Sequence, residues 1–230
     1  MSMEATKIMH LLEFADSTFP VGTFSFSNGL ETASHEGIVY NAETLEQYVR
    51  AAALQAAFSD NVAALHAYNA ATKGNYEGVL DADKQIILFK MNAEARLMLT
   101  RMGKKMAEMS VHIFDNELMS KWLGDINHSK TPGTYPVAQA IAFNACGMSA
   151  LELFCTLQYG VINMILSAAL RCVKVSHYDT QRILFKLSEL SQGDYEQARE
   201  MSLDEMFAFT PQIDILASLH EKGTMRMFMN

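Results

Sequence analysis

The stretch VAQAIAFNACGMSALELFCTLQYGVINMILSAALRCVK, residues Val137 to Lys174, decides the fold, and its only charged side chains are Glu152, Arg171 and Lys174. A run this poor in charge is either a membrane span or the buried centre of a protein. A span needs about 20 mostly apolar residues. The uncharged run from Thr131 to Leu151 holds Pro132, Gly133, Pro136, Gln139, Asn144 and Gly147, and the one from Leu153 to Leu170 holds Thr156, Gln158, Gly160 and Asn163. Such groups are costly against lipid and ordinary in a core that supplies hydrogen bonds. The stretch is therefore expected to form two buried central helices meeting near Gly147, with Ser149 as the N-cap of the second.

Working outward, helical periodicity recurs and alternating strand patterns are scarce. Ile8 to Phe14 is expected to give one or two helical turns. A loop follows at Asp16 to Thr23, punctuated by Pro20 and Gly22. Phe24 to Glu36 is expected to return to helix, closed by Gly37. Asn41, with Thr44 at the third position, caps a helix expected to run to about Ala71, on which Leu45, Tyr48, Val49, Ala52, Ala53 and Ala56 share a face. One helical region is expected over Asp81 to Phe114, with Gly103 marking a close contact or a kink. Glu117 to Leu123 is a short helix carrying Trp122, and Asn127 to Pro136 is a loop. On the far side of the central pair, Asp179 to Leu190, Asp194 to Glu200 and Pro211 to Leu219 read as shorter amphipathic helices, the last with Pro in its favoured first position. Without an internal repeat or a composition break, residues 1–230 read as a single domain. The fold class is all-α, an orthogonal helical bundle with the Val137 to Lys174 helices at its centre.

Composition excludes several functions. The net charge is −8 with a pI near 5.3, the wrong balance for neutralising phosphates, so no nucleic-acid partner is expected. No phosphate-cradling loop, dinucleotide fingerprint, H-E-x-x-H, C-x-x-C or EF-hand loop occurs. The seven His are scattered singly and read as surface or satisfied core residues; no cofactor or metal ligand set is assigned. Three widely spaced Cys (Cys146, Cys155 and Cys172) do not make a disulfide framework and read as small buried hydrophobes in a reducing, cytoplasmic setting. The segment Met1 to Asp16 carries Glu4, Glu13 and Asp16 and does not read as a signal peptide.

Three features invite other readings. Glu152 and Cys155, three apart, share a helix face, and a thiol beside a carboxylate suggests a helical-bundle enzyme of small molecules, thiaminase-like; the plainer reading is a core Cys near a paired Glu. Glu94, Arg96 and Arg101 form either a charged cluster or a solvated face. Met91, Met98, Met102, Met106 and Met109 make a near-helical stripe, suited to core packing, to adaptable partner contact or to soft metal ligation.

Four short motifs remain. They are Phe19-Pro20-Val21-Gly22-Thr23-Phe24-Ser25-Phe26-Ser27-Asn28-Gly29-Leu30-Glu31 with its His10-Leu11-Leu12 lead-in; Met102-Gly103 before Lys104 and Lys105; Gly133-Thr134-Tyr135-Pro136-Val137; and His220-Glu221 followed by Arg226-Met227-Phe228. In order and spacing this set resembles the urease accessory protein UreF family across essentially the whole chain. The sequence departs from the family pattern in places. Phe24 stands where the family often has Tyr, and Thr134 where it has His. The segment Val173 to Leu184 is shorter than the family's turn but keeps Gln181-Arg182-Ile183-Leu184.

The resemblance implies a helical, homodimeric, cytoplasmic protein with no catalytic centre. It implies a scaffold or chaperone that joins UreD (also called UreH) and the GTPase UreG on apo-urease for nickel insertion, with only indirect contact with nickel. It implies partner-binding roles for Phe19, Phe24, Ser25, Glu31, Arg226 and Phe228, with Phe24 and Arg226 on the surface that recruits the GTPase. Pro20, Gly22 and Gly29 are the implied structural turn residues. The residues alone leave Phe24 open to a core role and Arg226 to a C-terminal salt bridge.

Overall fold

The computed structural model describes residues 2–22, 26–208, 210–220 and 227–228. Among these the regular structure is helical throughout, as the periodicity implied. The helices are α1 (Ser2–Ala15), α2 (Leu30–His35), α3 (Ala42–Ala57), α4 (Asp60–Thr72), α5 (Tyr76–Leu88), α6 (Ala93–Ile113), α7 (Glu117–Asn127), α8 (Tyr135–Ala145), α9 (Ala150–Cys172), α10 (His177–Ser188), α11 (Ser191–Ala198) and α12 (Pro211–His220), with a 3-10 turn at Leu203–Glu205.

The central pair is α8 and α9, which break at Cys146 to Ser149. The Ser149 hydroxyl accepts the Glu152 N–H while the Glu152 carboxylate accepts the Ser149 N–H, closing a capping box. Residues Val137 to Phe143 of α8 are fully buried or nearly so. α9 is long and apolar enough to cross a membrane, yet 56% of its most apolar window is buried in the fold. It packs against α1, α2, α3, α4, α8, α10 and α11, the position of a core helix.

Caps define most other starts. Asn41, Asn75, Asn92 and Asn116 each accept a backbone N–H from the first turn of α3, α5, α6 and α7, and Ser176 does so for α10. Each such cap is worth about 1 kcal/mol. Two of them, or their neighbours, correct the sequence reading. The helix expected from Asn41 to Ala71 is divided at Phe58 and Ser59, where the Ser59 hydroxyl turns back to the Gln55 carbonyl at 2.6 Å. The region Asp81 to Phe114 is divided at Phe89 to Asn92, where Asn92 is extended and caps Ala95 at 2.7 Å. Apolar side chains run through both breaks, so periodicity alone did not mark them. The helix expected over Phe24 to Glu36 is shorter: within the described residues it begins at Leu30. It ends in a Schellman motif, with Gly37 at φ 69 donating to Ser34 and Ile38 donating to Ala33.

The core has three connected parts. One joins α1, α4, α6, α7 and α8 around Trp122, Phe143 and Met106. A second joins α2, α3, α9, α10 and α12 around Leu30, Leu45 and Ile165. A third lies around Phe154, Ile86 and Leu65. Within the Met stripe, Met102 and Met106 are core, while Met91 is 70% exposed. The Cys reading needs correction: Cys155 is exposed and Cys146 and Cys172 are half-buried.

Candidate functional site

Two places gather polar groups, and each unites two of the four motifs. The first is built on α2 and α12. α2 starts at Gly29, whose φ of 77 is left-handed and whose α-carbon lies close to α12; a β-carbon there would stand 3.2 Å from both Ala217 N and Ile213 O. Leu30 and Ala33 face the core, which turns Glu31 toward α12. On α12 the inward stripe is Ile213, Leu216, Ala217 and His220, at helical spacing. The stripe thus carries His220 into the interior, where 3% of its side chain is exposed.

There His220 Nε2 lies 3.0 Å from Glu31 and Nδ1 lies 3.0 Å from Glu94 on α6. The Glu31 carboxylate also accepts the backbone N–H groups of Met227 at 2.8 Å and Phe228 at 3.1 Å. The Phe228 ring is buried, with the Arg171 guanidinium of α9 4.2 Å from its centroid. Burial acts to raise the Glu31 carboxyl, but the two N–H groups and the His220 ring outweigh it and the net shift is downward. The first and last motifs therefore meet at one carboxylate.

The second place unites the middle motifs. Asp83 of α5 is fully buried. One of its oxygens accepts the Thr131 hydroxyl at 2.5 Å and the Gly133 N–H at 2.9 Å. The other accepts the Thr134 N–H at 2.7 Å and the Thr134 hydroxyl at 2.5 Å. Thr134 thus serves as a donor to Asp83 through both its backbone and its hydroxyl. The loop so held presses on α6 at Gly103. A β-carbon at Gly103 would overlap the Gly133 carbonyl and lie 2.6 Å from Tyr135 N. The close-contact reading of Gly103 is the one realised.

Of the residues singled out, Glu31 and Phe228 are brought together. Phe19 is 7% exposed and packs edge-to-face on Phe14 with centroids 5.4 Å apart, so its ring holds the loop to the core. Pro20 is the middle of a three-residue turn closed by Val21 N–H to the Phe19 carbonyl at 2.7 Å. Gly22 has φ 91 with open space around it, so conformation and not room explains it. Phe24, Ser25 and Arg226 lie outside the described residues. Glu94 bonds His220, while Arg96 donates to the Lys90 carbonyl at 2.6 Å, so these two side chains of the suggested cluster turn to different partners. Sequence reasoning missed Asp83 altogether and the pairing of His220. The available signal was the same for both: a charged or titratable residue inside an apolar stripe, Val79-Ala82-Asp83-Ile86 in one case and Ile213-Leu216-Ala217-His220 in the other.

The Glu152 and Cys155 pair offers little chemistry. Glu152 is engaged by Ser149 and by Lys7 at 2.9 Å. Although Cys155 sits at the surface, partial shielding of its thiol from water by the packed helices, then the Glu152 charge, push the thiol up, away from the nucleophilic thiolate. A cavity of about 150 Å³ lies between α1, α3, α4, α6, α8 and α9, with Phe14, Met102, Leu157 and Met164 in its wall and Arg171 and Ile213 on the side of α12. Among the described residues, no group of three or more His, Cys, Asp or Glu is placed to hold a metal ion.

Comparison with known proteins gives concordant results. The sequence model of the UreF family matches residues 39–188. A Brucella melitensis protein named urease accessory protein UreF 1 is 43% identical over 223 residues, covering 97% of this chain and 92% of that protein. A Yersinia enterocolitica protein named urease accessory protein UreF is 41% identical over 228 residues, covering 99% of this chain and all of the relative.

Proposed function

This chain belongs to the UreF family of urease accessory proteins, and from that premise we propose that it is a non-catalytic scaffold in urease maturation. In this reading it joins UreD (UreH) and the GTPase UreG on apo-urease in the cytoplasm, as a homodimer, so that nickel can be inserted. The observation that carries the reading is the meeting of the two chain ends at Glu31. The start of α2, the end of α12 and residues 227–228 are tied to one place by the contacts of Glu31 with His220, Met227 and Phe228. A surface assembled from both ends suits recruitment of a partner, and aromatic and Arg side chains are the favoured anchors of such surfaces. Phe24, Ser25 and Arg226 belong to these two ends by sequence. Glu31 and Phe228 position the segment, and Phe19 supports it from the core.

The test is capture of UreG and UreD by the full chain, read beside urease activation. Arg226→Ala and Phe24→Ala should each weaken capture of UreG and lower urease activity, with helix content by circular dichroism unchanged. Undiminished capture together with full activation would remove both residues from the recruiting surface.

A further inference from the structure

The contacts around His220 depend on protons. A neutral imidazole carries one N–H and one lone pair. It can donate to Glu31 or to Glu94, and its other nitrogen then turns a lone pair on a carboxylate oxygen 3.0 Å away. With both nitrogens protonated, the ring donates both ways and sets its positive charge between two carboxylates. Glu31 shares one oxygen, Oε2, between His220 and the Phe228 N–H, and gives Oε1 to the Met227 N–H. The seating of the ring and the capture of Met227 and Phe228 are therefore linked through a single side chain.

We propose that His220 is a pH-dependent positioning residue: protonated, it holds the Glu31 carboxylate where it captures the Met227 and Phe228 N–H groups, and loss of the ring proton frees these two residues from α2. The inference goes beyond the scaffold reading and does not rest on it, because every group in the clasp belongs to this chain.

Among the described residues, the other charged and titratable groups around the ring come from four helices. From α2 and α6 come Glu31 and Glu94. From α9 comes Arg171, charged at every working pH, which holds the Phe228 ring. The α9 thiol Cys172 is pushed up to about 11 by burial and then by the Glu31 charge, and stays neutral while an imidazole titrates. On α12 itself, burial raises the Asp214 carboxyl and the Lys90 charge partly offsets this. Histidine is the side-chain type whose ordinary charge change falls near neutral pH.

The experiment uses the full chain, labelled with 15N in His and 13C in the Phe rings, with assignments from His220→Gln and Phe228→Leu. At the acid end of the His220 titration both imidazole nitrogens should carry protons and the Phe228 ring lines should be broad and shifted by their buried surroundings. As the imidazole loses its proton, those lines should sharpen and move to the positions of a free side chain, with the same midpoint. His220→Gln should abolish this step, and Glu94→Gln, which removes one of the two carboxylates, should move it to lower pH. Circular dichroism checks that the helices persist. Phe228 ring lines unchanged across the imidazole titration, or the same step in folded His220→Gln, would overturn the proposal. If His220→Gln does not fold, an unmoved midpoint in Glu94→Gln would overturn it equally.

Discussion

Asp83 and Glu31 organise two parts of the molecule by the same chemistry and differ in what can leave. Each is a carboxylate on a helix that draws in the backbone N–H groups of a neighbouring segment. Asp83 receives four donors from residues 131–134, a loop anchored at both ends by α7 and α8. Glu31 receives the N–H groups of residues 227 and 228, beyond the last helix, and one ring nitrogen. Asp83 is wholly buried, while 17% of the Glu31 side chain is exposed. Breaking the first set strands donors in the interior. Breaking the second lets water replace the protein partners. One arrangement fixes the fold, and the other can fix and release a segment without disturbing it.

The sharpest way to break the comparison is Asp83→Asn. The amide has the shape of the carboxylate but presents N–H where two donors expect an oxygen. Losing two charge-assisted hydrogen bonds at about 1.5–3 kcal/mol each gives a destabilisation on the order of 3–6 kcal/mol, read by urea unfolding. A loss below about 1 kcal/mol would mean that the loop is held by something other than Asp83.

The glycines beside the two carboxylates give the next contrast. Gly103→Ala places a β-carbon against the backbone of Gly133 to Tyr135, which has no flexible end to give way. Overpacking of this kind costs on the order of 1–3 kcal/mol. Gly29→Ala meets looser neighbours, with Tyr48 Oη at 3.0 Å, but adopts φ 77. Its cost is chiefly the left-handed backbone, roughly 1–2 kcal/mol. Thermal unfolding should rank Gly103→Ala below Gly29→Ala in stability; the reverse order would show that backbone conformation at Gly29 outweighs the crowding at Gly103.

Acid probes the releasable side. Glu31 is held below the ordinary carboxylate range in the folded protein, so its contribution is complete above that range and fades as pH falls through the lowered value. Limited proteolysis after residue 220 should accelerate in that acid window while helix content stays constant. Acceleration only together with loss of helix would place the segment in the same cooperative unit as the core.

Much of this was legible in the sequence, and the limits have physical causes. The central pair α8 and α9, the Ser149 cap and the Asn41 and Thr44 box were readable because charge-poor runs and capping signals are local. The breaks at Ser59 and Asn92 were not, because Phe58 and Phe89 carry the apolar pattern through them and only tertiary packing decides where a long amphipathic stretch folds over. The motifs were visible one by one, but their pairing in space was not. Nothing local in Gly103 says that it faces Gly133, and nothing in Glu31 says that its partners lie 189 and 197 residues away.

The smallest expected effect concerns a third carboxylate, Glu152, which is the most exposed of the three at 31% of its side chain and holds neither a loop nor the chain end but its own helix start. One of its oxygens, Oε2, takes the Ser149 N–H and hydroxyl and the Lys7 ammonium, which hold the carboxylate at the helix start. Surface ion pairs contribute about 0–1 kcal/mol, so neither member of the pair is expected to carry much stability. Cys155→Ser should therefore leave unfolding within about 0.5 kcal/mol of the parent and leave urease activation intact. A thiol-dependent enzyme would lose its activity with that one sulfur, because a hydroxyl at the same position has no thiolate form at working pH. Loss of function in a folded Cys155→Ser chain would restore the enzyme reading and make Glu152 the carboxylate that matters. Retention would leave Glu152 as a cap and confine the functional carboxylate to Glu31.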